Sequence, residues 1–330
     1  MASRSMASEP RPIVAFKNAV GGSDGTETGE SLIEKNCVTA NDSIAILRLI
    51  GKLLGEPNYE PSCAPNLGCC GRRMAVFPHC RQQTTWDCGV ACTQLVLRWL
   101  RPSRFPQINS SVPMSSEESI ERRWIVDAFE SQFTWTIDIV VILRRLFSED
   151  LRHSVDFPLR DRDDDVWDQA NFLYFSKHLG VDVSYKSYSC YRDTFERDES
   201  RVVKRFAWAK ALNLPICEYQ MDLKLLADVV SREECIAIVL LDNSTLRGTV
   251  CHYAGQYVLL VGISTDVQDI AIAEACCGEG DDSSPARYCL IIMNSDSTES
   301  ISFITPSLFE KAWRADGTDR DVILIAKVKQ

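Results

Sequence analysis

Between Phe77 and Leu100 the chain reads FPHCRQQTTWDCGVACTQLVLRWL. Past Gly89 only Thr93, Gln94 and Arg98 interrupt the apolar residues, and there is no proline. That composition predicts a helix buried on nearly every side, and a helix of that kind needs layers of structure around it. Cys88 stands at its start. A thiol there has its anion favoured by unpaired backbone N–H groups and the helix dipole. Gln82 lies six residues upstream, where a side-chain amide would help hold a developing oxyanion beside the Cys88 N–H. The competing reading is a structural thiol that caps a core helix.

The length of 330 residues and 45% hydrophobic content allow one or two domains with a substantial core. The formal charge of −10 argues against nucleic acid as a partner, because that needs clustered Lys and Arg. No run approaches the ~18 apolar residues of a membrane span. MASRSMASEPRP has no apolar centre of the signal-peptide kind. The expectation is a cytoplasmic protein whose 14 cysteines are thiols rather than disulfides. Four histidines, His79, His153, His178 and His252, restrict the choice of general base.

Residues 1–40, rich in Ser, Gly and Glu, read as a disordered tail. Residues 41–76 read as an amphipathic helix (Asn41–Leu54) and a Cys-rich connection, and 77–330 as the main domain. Cys63, Cys69, Cys70, His79 and Cys80 fit no common zinc spacing. The acidic run DRDDDVWD (161–168) lacks the Gly and distal Glu of a calcium loop and reads as solvated. No cofactor or metal is expected. Helices are predicted at Ser115–Phe133, Thr136–Phe147, Glu199–Leu212 and Leu223–Val230. Strands are predicted at Val181–Tyr188, Cys235–Leu241, Gln256–Ile263, Tyr288–Met293 and Asp321–Val328. Helices first and strands later predict an α+β fold, a helical half packed on an antiparallel sheet.

QQTTWDCGVAC resembles the nucleophile region of papain-like cysteine peptidases, above all the bacteriocin-processing ones. Four further segments resemble a narrower family, named after plant soluble guanylyl cyclase and the guanylyl cyclase domain-containing protein of animals. They are WTIDIVVILRRL (Trp135–Leu146), CIAIVLLDNSTL (Cys235–Leu246), YAGQYVLLVGI (Tyr253–Ile263) and GTDRDVIL (Gly317–Leu324). The resemblance implies a papain-like cysteine peptidase fold, Cys88 as nucleophile and Gln82 at the oxyanion hole. It also implies a His after Tyr-x-Gly and an Asn or Asp ending the next strand, where Asn294 stands.

The sequence departs from that pattern at one place: Tyr253-Ala254-Gly255 is followed by Gln256. An amide accepts no proton at neutral pH and cannot act as general base. His252 lies four residues earlier, about 13 Å along an extended chain, and would reach Cys88 only through a sharp turn. Three readings stay open. One is a pseudoenzyme whose cleft holds a peptide or protein. Another is an active thiol hydrolase with His252, or a base such as His79, in the missing role. The third is GTP cyclisation, as the family's name implies, although no Gly-x-x-x-x-Gly-Lys loop is present.

Overall fold

The computed structural model describes residues 38–39, 43–61, 72–74, 80–100, 116–131, 133–146, 170–177, 189–249, 253–275, 287–299 and 301–327. His79, His153, His178 and His252 lie outside these residues, as do the expected strand Val181–Tyr188 and the acidic run at 161–168.

Among the described residues the strands, in chain order, are β1 (Val38–Thr39), β2 (Arg72–Met74), β3 (Ala170–Ser176), β4 (Ile216–Glu218), β5 (Cys235–Asp242), β6 (Gly255–Ser264), β7 (Cys289–Met293), β8 (Ser302–Ile304) and β9 (Val322–Lys327). They form one sheet in the order β1-β4-β3-β9-β5-β6-β7-β8, with β2 paired to β6. Pairing is antiparallel except for β1 with β4 and β3 with β4. β1 falls within the stretch whose composition suggested only a tail. In β6 the register against β7 shifts between Leu260 and Gly262, so Val261 has no opposite residue.

The helices are α1 (Ser43–Leu54), α2 (Cys88–Leu100), α3 (Ser116–Phe129), α4 (Thr136–Leu146), α5 (Ser189–Ala211), α6 (Leu223–Val230), α7 (Asn243–Leu246), α8 (Val267–Ala275) and α9 (Pro306–Trp313). They cover both faces of the sheet, not one. The central strands show why. In β5, Ile236, Ile238 and Leu240 join the apolar cluster under α2, α3, α4 and α5, whereas Cys235, Ala237, Val239 and Leu241 join the one under α1, α6 and α9. Every residue of β5 is buried. A strand buried on both faces reads as a continuous apolar run, and such strands require a third layer.

Local chemistry sets the ends of these elements. Asp222 caps α6 by accepting from the Leu225 N–H at 2.6 Å, and Thr305 caps α9 with Pro306 at its first position. Glu130, with φ of 59°, stops α3 four residues short of the predicted Phe133. All 13 residues of α2 are buried, and it packs against β6. Cys80, Cys88, Cys92, Cys217, Cys235 and Cys289 are buried thiols. No helix among the described residues is long and apolar enough to cross a membrane.

Candidate active site

Cys88 is the first residue of α2, and the turn ahead of it is folded by Asp87. The Asp87 carboxylate accepts the N–H groups of Gln83 and Thr84, each at 3.2 Å, and pairs with Arg122 of α3. Arg122 donates in turn to Gln94 Oε1 at 2.8 Å, which also accepts from the Cys80 thiol at 3.4 Å. The turn is thereby tied to the body of the helix on its buried side.

The same turn is stitched to the sheet on its other side. The Gln82 N–H donates to the Ser295 carbonyl at 3.0 Å, and Gln82 Oε1 accepts from Ser295 Oγ at 3.0 Å and Gln256 Nε2 at 2.9 Å. Gln256 Nε2 also reaches Asn294 Oδ1 at 3.2 Å. Three residues singled out from sequence, Gln82, Gln256 and Asn294, thus meet through one amide. That amide's two hydrogens are the reason it can join two carbonyl oxygens. With its oxygen committed to two donors, the Gln82 amide is fixed in place. Asn294 Oδ1 also accepts the Asp296 N–H at 3.0 Å, and the Asp296 carboxylate pairs with Arg247.

Cys88 is 6% exposed. Burial pushes its thiol up, and the nearby Asp296 carboxylate adds to that shift. The backbone N–H groups of Tyr257, Gly89 and Cys88 itself face the sulfur and oppose it without winning. The sulfur opens onto a cleft of about 160 Å³. Thr85 and Trp86 line it from the turn, Phe133, Thr134 and Trp135 from the segment before α4, Tyr253 from just before β6, and Gly255 and Tyr257 from its start. None of the described lining residues is charged. The far wall is fixed from behind: Trp135 Nε1 donates to Asp198 at 2.9 Å, and the Trp135 N–H donates to Asp138 at 3.0 Å. Arg201 of α5 pairs with both carboxylates. Gly89 lets this segment approach, since a Cβ there would lie 2.5 Å from Thr134 Cγ2.

Ser295, Thr134, Trp135 and Tyr257 belong to the site yet carried no chemical signal of their own in the sequence. Tyr257 and Trp135 sit inside the family-like segments, and Ser295 follows Asn294, so proximity to those motifs was the available clue. Among the described residues no group of three His, Cys, Asp or Glu is placed to hold a metal ion.

A family model described as "Guanylylate cyclase" matches residues 77–325. Guanylyl cyclase 1 of Arabidopsis thaliana is 22% identical over 261 residues, covering 75% of this chain and 74% of the plant protein. No solved structure matches. The matched span takes in Gln82, Cys88, Gln256 and Asn294 and runs from the turn before α2 into β9, so the chain belongs to the guanylylate cyclase family.

Proposed function

We propose that the protein has a papain-like fold whose cysteine cleft binds an extended peptide or protein segment without hydrolysing it. The observation that carries this reading is the Gln256 amide, bonded to Gln82 and Asn294 in the place where an imidazole would be expected. It has no proton-accepting nitrogen to offer Cys88. Burial pushes the thiol in the same, unreactive direction. The neutral, largely aromatic walls favour an uncharged segment, bound by its backbone and apolar side chains.

Site-resolved alkylation of Cys88 by iodoacetamide across pH tests the reading. The expected wild-type rate climbs with pH as for an unassisted thiol, at higher pH than an ordinary one because of its burial, and is unchanged in His252→Ala. Fast labelling below neutral pH that disappears in His252→Ala would instead establish a working thiol hydrolase. Gln256→His should return a base to the site and speed labelling near neutral pH by about 100-fold, the low end of what a positioned base contributes.

A second reading, cyclisation of GTP, is favoured by the family match and by the name of the plant relative. Formation of cyclic GMP from GTP with Mg²⁺ or Mn²⁺, lost in Asp163→Ala and Asp165→Ala, would support it. Wild-type protein that forms none removes it.

A further inference from the structure

A chain of buried hydroxyl groups runs from the cleft to Asp321, a residue the site chemistry above does not use. The Tyr257 hydroxyl is 2.9 Å from Thr136 Oγ1, and Thr136 Oγ1 donates to Asp321 Oδ2. The Tyr174 hydroxyl donates to Asp321 Oδ1 at 3.1 Å. Tyr257 OH also lies 3.4 Å from the carbonyl of Thr134 in the cleft wall. Tyr174, Thr136, Tyr257 and Asp321 are each 4 or 5% exposed. The groups come from β3, α4, β6 and the residue just before β9, so the sheet register holds the path together.

Each hydroxyl has one proton, and that limits the patterns available. With Asp321 ionised, Tyr174 and Thr136 both give their protons to the carboxylate. Thr136 Oγ1 can then only accept, so the Tyr257 proton points to Thr136 and the Thr134 carbonyl is open. When Asp321 takes a proton from solvent, its O–H donates to Thr136. The Thr136 proton turns to the Tyr257 oxygen, and the Tyr257 proton turns to the Thr134 carbonyl. No bond other than these hydrogen bonds changes.

We propose that Asp321 is a positioning residue for the cleft: acting through Thr136, it sets the direction of the Tyr257 hydroxyl proton and so how much of the Thr134 carbonyl's accepting capacity is left for an N–H from a bound segment. The inference rests on reading this cleft as the binding site. Asp321 has no salt bridge among the described residues. Burial first, and the Asp319 carboxylate second, push its carboxyl up to about 7, against the hydroxyls of Thr136, Ser176 and Tyr174. Both proton states are therefore reached near neutral pH. Among the described residues the other titratable groups facing the path are Cys88 and Tyr253, both beside Tyr257.

The test needs no ligand, so its failure is separate from a failure to bind peptide. The ring-carbon NMR signals of Tyr257 and Tyr174, assigned with Tyr257→Phe and Tyr174→Phe, are followed across neutral pH in the full chain. Both should shift together in a single titration. Thr136→Val removes the link but leaves Asp321 in place, so Tyr174 should still titrate in full while the Tyr257 shift shrinks to the part that the Asp321 charge exerts through space. Asp321→Asn should flatten both. A Tyr257 signal that is flat in the wild type, or that titrates undiminished in Thr136→Val, would overturn the assignment. The second result holds even if Asp321→Asn does not fold.

Discussion

Asp87 adjoins the cysteine yet turns away from the cleft, and its partners explain why. It is 2% exposed, accepts two N–H groups of the preceding turn and faces Arg122, whose side chain is also buried. Asp87→Ala strands the guanidinium without its anion, which typically costs about 3–5 kcal/mol. Urea unfolding should show that loss, and Arg122→Met in the same background should recover part of it. At this scale the sequence was legible where a residue type is rare for its place. Gln256 after Tyr-x-Gly and Asn294 after a strand could be picked out, and the fold brings both to Gln82. Ser295 could not. Serines are common, and which one meets Gln82 depends on where β7 stops. His252, the alternative base, lies outside the described residues.

Among the elements, α2 was the most legible, because an apolar run that long has few other uses. Its close approach to the segment before α4 depends on Gly89. Gly89→Ala should help the isolated helix slightly, but the new methyl meets Thr134 Cγ2 at 2.5 Å and Ile139 Cδ1 at 3.3 Å. The expected net result is a loss of about 1–3 kcal/mol, as for overpacked sites. Trp135 fluorescence should change with it as the cleft wall moves back. β3 escaped notice because ANFLYFS is apolar on both faces and shows no alternation. α5 begins ten residues earlier than the predicted Glu199, because its first turns are polar and carry no apolar stripe. Periodicity reports burial on one face, so it fails both for elements buried on two faces and for stretches with no apolar face.

For the molecule as a whole, α+β character was legible and the layering was not. Helices on both sides of the sheet follow from strands whose odd and even residues are both apolar. One buried group also leaves its mark on overall stability. The folded state holds the Asp321 proton up to about pH 7, whereas an unfolded chain releases it near pH 4. The native form therefore binds more protons between those limits, and stability falls as pH rises through them, by up to about 1.4 kcal/mol per unit. Asp321→Asn removes that slope. Urea midpoints measured below and above neutrality should converge in the variant, and equal slopes in both proteins would contradict the assignment.

The sheet order has a consequence for how the protein is made. β9 is the last strand in chain order among the described residues, yet it lies between β3 and β5 and pairs with both. A chain emerging from the ribosome thus presents two partial sheets, each with an apolar edge awaiting the same missing strand. Those edges are templates for wrong pairing until Lys327 is out. Closure of the sheet therefore waits on β9, however early the strands on either side of it have formed.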